Sequence, residues 1–430
     1  MPVRFTLFPP HAPRPIARTA AAILTVALIT ACATDKTEPT GLNASVDASS
    51  SNGVPFAEGL ASPAWQQKAR DLVTAANISP VQSTHSYPIL GVAQYLAVQR
   101  AQAAIIGGGR ERLEADRGAV AGASFVTMSY LFPAPASVQS FVDLETAQAN
   151  AGPGQPHPAF AAGEAIGRAV GAQIVARAIA DHFNDPNTAV PPAGGTAAGF
   201  WTPNVEGQKV AGGTLPGTTP WFLTSSDQFK PVPHPPFGSD EFKAALAEIR
   251  QISDTRTADQ THIATIWALS NGTPTTSGFW LAVPTDSGWV AQHSLSERET
   301  THLYALLSAT MFDAQIGCWD EKLRSWLVRP WKADPLITLV DAVGKPAPPN
   351  HPSYPSGHSC LSSSAASVLS TFFPEHTAQL DAMVVQAGLS RMYGGIHYRF
   401  DITAGQTLGR NVARFTIAQD ASGTSVLTAH

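Results

Sequence analysis

The sequence of 430 residues predicts an all-α protein made of two packed helical halves. Long stretches carry apolar residues at helical spacing or are rich in alanine, the residue with the highest helix propensity. Alternation of apolar and polar residues with the two-residue period of a β-strand is scarce. The residues with evident chemistry concentrate near the C-terminus, and they place a candidate site in the second half of the chain.

The N-terminal helical half, residues 56–184, is predicted to contain five helices. They cover residues 62–76, 87–106, 117–130, 136–150 and 160–183. In the last of these, Gly163, Gly167 and Gly171 recur every four residues. Positions four apart lie on one face of a helix, so these glycines predict a ridge of small residues in close contact with another helix.

A segment rich in proline and glycine, residues 185–239, separates the two halves. It is too long for a simple connection between helices. Because it contains several large aromatic residues, we expect it to wrap around the helices. Six further helices are predicted in the C-terminal helical half, residues 240–430, the first of them starting one residue before it. They cover residues 239–252, 257–271, 295–327, 358–372, 376–392 and 398–417.

The first 32 residues have the organisation of an export signal. Arginines 4, 14 and 18 precede a mostly apolar run at residues 20–31, which is too short to cross a bilayer. The sequence Ile29-Thr30-Ala31-Cys32 is similar to a bacterial lipobox, which implies that Cys32 is acylated and becomes the first mature residue. An ordinary cleaved signal without lipid is the alternative.

Residues 33–55, rich in Thr, Ser, Asn and Asp, are predicted to form a flexible tether. No other stretch has the length of uninterrupted apolar sequence that a spanning helix needs. We therefore expect an exported bacterial lipoprotein in the periplasm that contacts the membrane only through the lipid on Cys32, or a secreted protein if no lipid is attached.

The composition excludes several functions. The formal net charge is −5 and only 14% of residues are charged, which argues against binding of nucleic acid. Three cysteines are too few for a zinc–cysteine site once Cys32 is assigned to the lipobox. The other two, Cys318 and Cys360, are expected to be buried free thiols, with a disulfide in an oxidising periplasm as the alternative.

Three short segments carry the chemistry of the second half. They are Lys322 to Arg329-Pro330, then Pro355-Ser356-Gly357-His358, then Ser390-Arg391 to His397 and Asp401. Together they supply three cations, two histidines and a carboxylate. Such a set can hold a tetrahedral oxyanion and carry out acid–base or covalent chemistry on it.

The first segment is predicted to present two cations on one helix. Lys322 and Arg329 are seven positions apart, or two helical turns, so they should project from nearly the same face. Pro330 marks the expected end of that helix.

The second segment has the pattern of a turn that leads into a helix. Gly357 allows main-chain N–H groups to approach an anion closely, and Ser356 can add a hydroxyl donor. His358, beside them, is a candidate general acid or base.

The third segment pairs an imidazole with a carboxylate. On a helix, Asp401 would reach Nδ1–H of His397, fix its tautomer and direct Nε2 outward as a nucleophile or ligand. Gly394 and Gly395 are expected to interrupt the helix that carries Arg391, so that Arg391 and His397 converge on one ligand.

The combined pattern Lys-x6-Arg-Pro, Pro-Ser-Gly-His and Ser-Arg-x5-His-x3-Asp resembles that of the type 2 phosphatidic acid phosphatase (PAP2) and vanadium haloperoxidase superfamily. This resemblance implies a helical bundle with the oxyanion site in its C-terminal half. It implies that Lys322, Arg329 and Arg391 neutralise the oxyanion and that Ser356 and Gly357 donate hydrogen bonds to it. His397 would be the nucleophile toward phosphate or the axial ligand of vanadate, His358 the acid–base residue, and Asp401 the group that orients His397.

Residues 311–322 and 395–401 are similar to the corresponding stretches of vanadium chloroperoxidases. Within that branch, the resemblance places Trp319 and His351 near the halide. His351 begins a His-Pro-x-Tyr-Pro-Ser-Gly-His run that resembles bromo- and iodoperoxidases, which favours bromide or iodide over chloride. The function implied is oxidation of halide by hydrogen peroxide with vanadate as cofactor, followed by attack on a small organic acceptor.

Two other functions fit the same residues. The superfamily site binds phosphate as well as vanadate, so a periplasmic acid phosphatase acting on phosphate esters through a phosphohistidine is the main alternative. A lipoprotein that only binds phosphate is the other, although binding alone does not require His358 and Asp401 together. The motifs do not decide between these reactions.

Overall fold

The computed structural model describes residues 59–428, apart from residues 106–107, 153–156, 193, 196 and 341–347. The export signal, the lipobox with Cys32 and the tether lie outside the described residues. None of the helices in the described ranges has the length and apolar character that crossing a membrane requires.

Five helices precede the proline-rich segment, as predicted. They are α1 (Ser62–Ala75), α2 (Pro80–Ala104), α3 (Gly109–Leu131), α4 (Pro135–Ala149) and α5 (Pro158–Ile179). Helix α2 begins earlier than predicted, because Ser79 caps it with a side-chain bond to the N–H of Gln82 and Pro80 occupies its first turn. The internal Pro88 obscured this start in the sequence.

The predicted glycine ridge is confirmed as the contact between α5 and α3. A β-carbon added at Gly163 would lie 2.0 Å from the main-chain oxygen of Ala115, and one at Gly167 would lie 2.1 Å from that of Ala119. Both distances are far shorter than van der Waals contact, so only glycine permits this approach. Gly122 of α3 makes the reciprocal contact, since a β-carbon there would lie 2.2 Å from the main-chain oxygen of Glu164.

The described part of residues 185–239 contains one short 3₁₀ turn, Leu215–Gly217, and otherwise follows the surface of the helices. The buried carboxylate of Asp313 fixes this segment by accepting hydrogen bonds from the N–H groups of Trp221, Phe222 and Leu223 at 2.7–2.9 Å. The guanidinium of Arg177 lies 3.6 Å from the centre of the Trp221 ring. The segment therefore packs against α5 and the long helix that contains Asp313.

Nine helices follow in the described residues. They are α6 (Asp240–Thr255), α7 (Ala258–Ile266), α8 (Thr275–Asp286), α9 (Trp289–Gln292), α10 (Glu297–Ser325), α11 (Pro330–Ala333), α12 (Gly357–Phe372), α13 (Thr377–Tyr393) and α14 (Arg399–Ala421). The described residues contain no β-strand, which confirms the all-α prediction. Helix α10 runs through the core and packs against α2, α12 and α14.

Helix α8 was missed by the sequence analysis. It contains Gly278 and Pro284, both of which weaken a helical pattern. Its residues are buried on most sides, including Thr275, Trp280 and Leu281, so they lack the one-sided apolar periodicity of a surface helix.

Replacement of Gly167 by alanine tests the α3–α5 contact, because propensity and packing predict opposite effects. Alanine is favoured over glycine within a helix by about 1 kcal/mol. The added carbon nevertheless collides with the main chain of α3, and overpacking of this kind costs about 1–3 kcal/mol. We expect Gly167→Ala to lower the free energy of unfolding measured with urea.

The matched control is Gly217→Ala, where an added β-carbon meets no atom within 4 Å. This variant should unfold at nearly the same urea concentration as the wild type. A Gly167→Ala protein as stable as the wild type would show that the two helices do not approach as described.

Candidate oxyanion site

The prediction that one continuous helix carries Lys322 and Arg329 is wrong. Helix α10 ends at Ser325, and Trp326 caps it in the left-handed conformation with φ +49°. Arg329 then lies in extended backbone, a conformation favoured by the proline that follows it, and Pro330 starts α11 instead of ending α10. Lys322 and Arg329 therefore converge because the chain turns at Trp326, and not because they share a helical face.

Lys322 holds the loop that leads into the second segment. Its ammonium donates hydrogen bonds to the main-chain oxygens of Pro352 and Ser353, each at 2.9 Å, and of Pro355. Burial lowers the pKa of Lys322 to about 8. All three ammonium N–H groups donate to main-chain carbonyls. In this arrangement Lys322 orders the loop and places its positive charge against it.

Arg329 joins two histidines of the site. It is fully buried, and its Nη1 lies 2.9 Å from Nε2 of His397 while its Nη2 lies 3.0 Å from Nδ1 of His351. The main-chain oxygens of His351 and Ile396 accept two further hydrogen bonds from it at 3.0 and 2.7 Å. Since a guanidinium can only donate, both imidazole nitrogens that face Arg329 must be unprotonated.

The second segment forms the predicted turn and helix. Ser356 is the N-cap of α12, and its hydroxyl accepts a bond from the N–H of Ser359. A β-carbon added at Gly357 would lie 3.2 Å from the ring of Trp319, so the helix N-terminus approaches this ring closely. The first N–H groups of a helix have no partner within it, and they leave the start of α12 able to bind an anion.

His358 is held by a main-chain carbonyl. Its Nε2 lies 3.0 Å from the oxygen of Trp267, which follows α7. A carbonyl can only accept, so Nε2 carries the hydrogen and Nδ1 is the basic atom of the neutral ring. Burial and the charge of Arg391 lower the pKa of His358 well below its ordinary value, so this ring is neutral at pH 7.

His397 and Asp401 form the predicted pair, although not along one helix. His397 precedes α14, and Asp401 lies in the first turn of that helix. Nδ1 of His397 is 2.7 Å from Oδ2 of Asp401, which fixes the hydrogen on Nδ1 and leaves Nε2 unprotonated, with its lone pair facing Nη1 of Arg329. Burial, with the charges of Arg329 and Lys322, lowers the pKa of His397 well below its ordinary value.

Gly395 explains how the third segment folds back. Helix α13 ends at Tyr393, and Gly395 adopts φ +75°, a conformation that favours glycine. The N–H of Ile396 then bonds to the main-chain oxygen of Arg391 at 3.0 Å. This turn places His397 beside the end of the helix that carries Arg391, as predicted.

Arg391 is the third buried cation. Its Nε donates to the hydroxyl of Ser390 at 2.8 Å, and its Nη2 donates to the main-chain oxygen of Ala264 at 3.2 Å. Burial and the like charge of Arg329 lower the pKa of Arg391. Within the part of the chain that the structure describes, Lys322, Arg329 and Arg391 make no ion pair, so the site has an excess of buried positive charge.

Trp319 and His351 lie together at the edge of this positive site. Their ring centres are 4.9 Å apart, and the ammonium of Lys322 is 5.5 Å from the Trp319 ring. The indole N–H of Trp319 donates to the main-chain oxygen of Ala211 at 2.8 Å, so the proline-rich segment fixes the ring. Every predicted site residue that the structure describes therefore belongs to one cluster.

Both remaining cysteines are buried free thiols, as the sequence analysis favoured. Cys318 lies one turn before Lys322 on α10, and its sulfur is 3.8 Å from the main-chain oxygen of Pro355. Cys360 lies in the first turn of α12.

Sequence reasoning missed several groups that complete the site. The hydroxyl of Ser353 donates to Oδ2 of Asp401 at 2.5 Å. Main-chain oxygens of Ala264, Trp267 and Ile396 hold Arg391, His358 and Arg329. A main-chain contact does not depend on residue type, so the sequence does not reveal it. Ser353, in contrast, lies in the loop that leads into the second segment, and this position could have identified it.

Known proteins similar to this chain were found by sequence family and by fold. Residues 301–422, which include all three motif segments, match the family model described as the PAP2 superfamily. A solved structure described as the first bacterial vanadium-dependent iodoperoxidase is similar to this chain, with a TM-score of 0.68 and 22% identity. The match covers 83% of this chain and 95% of that one.

A holo-type bacterial vanadium-dependent chloroperoxidase is also similar, with a TM-score of 0.62 and 14% identity over 84% of this chain and 95% of that chain. No curated protein matches the sequence significantly. At these identities the solved structures establish the fold. The resemblance inferred from the motifs is confirmed: residues 301–422 match the PAP2 superfamily, and the fold is that of bacterial vanadium-dependent haloperoxidases.

The excess of buried charge predicts that Arg391→Gln has opposite effects on stability and binding. Removal of one of two neighbouring cations should leave the ligand-free protein as stable as the wild type or more stable. Loss of a charge-assisted hydrogen bond should weaken phosphate binding by about 10- to 100-fold. Thermal unfolding with and without phosphate measures both quantities.

Arg410→Gln is the control, since Arg410 is exposed on α14. It should bind phosphate like the wild type. Phosphate affinity unchanged by Arg391→Gln would contradict the placement of Arg391 in the oxyanion site.

Proposed function

We propose that this protein is a vanadate-dependent haloperoxidase-like enzyme that oxidises bromide or iodide, in preference to chloride, with hydrogen peroxide. The observation that carries the proposal is the state of His397. Its Nδ1 hydrogen is held by Asp401, and its Nε2 lone pair is directed into a cluster of buried cations. An unprotonated nitrogen in such surroundings is suited to bind an oxyanion that accepts a nitrogen ligand.

The residues present fit vanadate. Nε2 of His397 would be its single protein ligand, and Arg329, Arg391, Ser356 and the N–H of Gly357 would surround its oxygens. Lys322 adds positive charge through the loop whose carbonyls it binds. Bound vanadate would supply the activation of peroxide toward attack by halide.

The proton chemistry belongs to His358. Its Nε2–H is engaged by the carbonyl of Trp267, so Nδ1 is the atom that can take a proton from incoming peroxide. Because burial keeps this imidazole neutral at pH 7, Nδ1 is available as a base before each turnover. Asp401 holds His397 in one tautomer throughout and takes no proton from the reactants.

Trp319 and His351 are suited to a halide. Nδ1 of His351 accepts a hydrogen bond from Arg329, so the hydrogen of the neutral ring lies on Nε2, where it can be donated to an anion. The indole N–H of Trp319 is already bonded to Ala211, so Trp319 offers the face or edge of its ring. These two residues therefore form a site for bromide or iodide beside the cations. Trp319 supplies a polarizable ring, and His351 supplies one N–H donor.

A periplasmic acid phosphatase is the second candidate, because the same donor set fits phosphate. In that reaction His397 attacks phosphorus, and the leaving alcohol takes a proton from His358, which must first be protonated at Nδ1. Water then hydrolyses the phosphohistidine. The burial of the site favours the first candidate. Lys322, Arg329 and Ser356 are 0% exposed and His397 is 3% exposed, which suits reactants as small as peroxide and halide better than phosphate esters.

The first test compares the two reactions directly. The purified protein, freed of bound oxyanion, is divided; one portion receives vanadate and is assayed for peroxide-driven bromination and iodination of a dye, and the other is assayed for p-nitrophenyl phosphate hydrolysis. We expect halogenation that requires vanadate and is lost in His397→Ala, because among the described residues no other unprotonated imidazole nitrogen is aimed at the cations by a carboxylate.

The matched control is His302→Ala. His302 forms another imidazole–carboxylate pair, with Asp420 at 2.8 Å, but it lies near the opposite end of α10 from Lys322. This variant should retain activity. Phosphate ester hydrolysis that vanadate abolishes, without any halogenation, would instead establish the phosphatase.

The proposed location is the periplasm, where the protein would be anchored by an acyl chain on Cys32. Cells of a bacterial host that express the full chain are labelled with radioactive palmitate and fractionated. We expect label on the wild type in the membrane fraction and none on Cys32→Ala. Unlabelled wild-type protein in the periplasm or medium would favour an ordinary cleaved signal.

A further inference from the structure

All the polar groups of Ser353 are bonded to parts of the oxyanion site. Ser353 is 0% exposed, and its hydroxyl donates to Oδ2 of Asp401 at 2.5 Å. Its main-chain oxygen accepts a hydrogen bond from Lys322 at 2.9 Å, and its N–H bonds to the oxygen of Leu327 at 2.9 Å. Ser353 therefore connects the loop of the second motif to the lysine of the first motif and the carboxylate of the third.

The bonding of Asp401 is unequal between its two oxygens. Oδ2 accepts hydrogen bonds from Nδ1 of His397, the hydroxyl of Ser353 and the N–H of Tyr398, at 2.7, 2.5 and 3.1 Å. Oδ1 is buried and has no hydrogen-bond partner among the described residues. The orientation of His397 thus depends on one carboxylate oxygen and on the donors that hold that oxygen.

The serine hydroxyl is one of the three donors to Oδ2 of Asp401. The other two are Nδ1 of His397 and the N–H of Tyr398. A change at Ser353 leaves both of these in place, so it isolates the effect of one hydroxyl.

We infer that Ser353 is a positioning residue, which keeps Nε2 of His397 aimed at the oxyanion by holding Oδ2 of Asp401 in one orientation. The inference rests on the proposed role of His397 as the group that binds the oxyanion. The main-chain bonds of Ser353 to Lys322 and Leu327 already hold the loop. The hydroxyl is therefore free to serve Asp401 alone.

The test measures vanadate affinity for the wild type, Ser353→Ala and Ser353→Thr. Without the hydroxyl, Oδ2 of Asp401 loses one of its three donors, so the carboxylate holds His397 less firmly. We expect Ser353→Ala to bind vanadate about 10- to 100-fold more weakly, as is typical when the partner of a ligand-orienting group is removed. Threonine, which keeps the hydroxyl, should restore the affinity.

A spectroscopic readout does not require any oxyanion. In protein labelled with ¹⁵N at histidine, the resonances of His397 should show a single tautomer with the hydrogen on Nδ1 in the wild type and Ser353→Thr. In Ser353→Ala they should show loss of that preference. A purely structural role of Ser353 would change stability without changing this tautomer.

The control is Ser364→Ala. Ser364 is also fully buried, but it lies on α12 and its hydroxyl donates to the main-chain oxygen of Leu361. It should bind vanadate with the affinity of the wild type.

The two proposals fail in different ways. A wild-type protein that binds no oxyanion would refute the proposed function. A wild type that binds vanadate, together with Ser353→Ala of equal affinity and unchanged His397 tautomer, would overturn the role of Ser353. If Ser353→Ala does not fold, Ser353→Cys replaces it: its thiol is a weak donor, so its affinity must fall between threonine and complete loss, and an affinity equal to the wild type would overturn the inference.

Discussion

Arg329 is fully buried, and its four short contacts are to two imidazole nitrogens and two main-chain oxygens. A buried cation without a carboxylate partner is costly unless each of its donors finds an acceptor. Arg329 meets this requirement with neutral groups only, and it therefore keeps its positive charge available to a ligand. The turn at Trp326, the loop at His351 and the return of the chain at Gly395 all serve to bring those acceptors to one guanidinium. A bound oxyanion would supply the negative charge that the site lacks.

The rest of the architecture supports this arrangement from a distance. The close approach of α3 and α5 through glycines packs the N-terminal half. Helix α2 contacts both α3 and α10, and Lys322 lies near the C-terminal end of α10. Asp313, nine positions before Lys322 on the same helix, fixes the proline-rich segment by three main-chain hydrogen bonds. That segment in turn holds Trp319 through Ala211. Asp313 and the proline-rich segment, which take no part in the chemistry, thus determine the position of the Trp319 ring.

Much of this could be predicted from the sequence, for identifiable reasons. Helices with one apolar face or rich in alanine were found close to their true positions, and the motif residues were recognised as a set because each has an unusual chemistry. The path of the chain between Lys322 and Arg329 was predicted wrongly, since a left-handed Trp326 is rare and leaves no signal in composition. Helix α8 was missed because a buried helix lacks amphipathic periodicity. The carbonyl of Trp267 determines which nitrogen of His358 is basic, and no residue pattern reveals such a contact.

The central claim is that Nε2 of His397 is an unprotonated ligand, held by Asp401 and surrounded by buried cations. A crystal structure of the protein soaked with orthovanadate tests it most directly. The account predicts electron density for vanadate joined to Nε2 of His397, with Arg329 and Arg391 in contact with its oxygens and Nδ1 of His397 still bonded to Asp401. Vanadate bound elsewhere, or held by the cations without a bond to His397, would contradict the account.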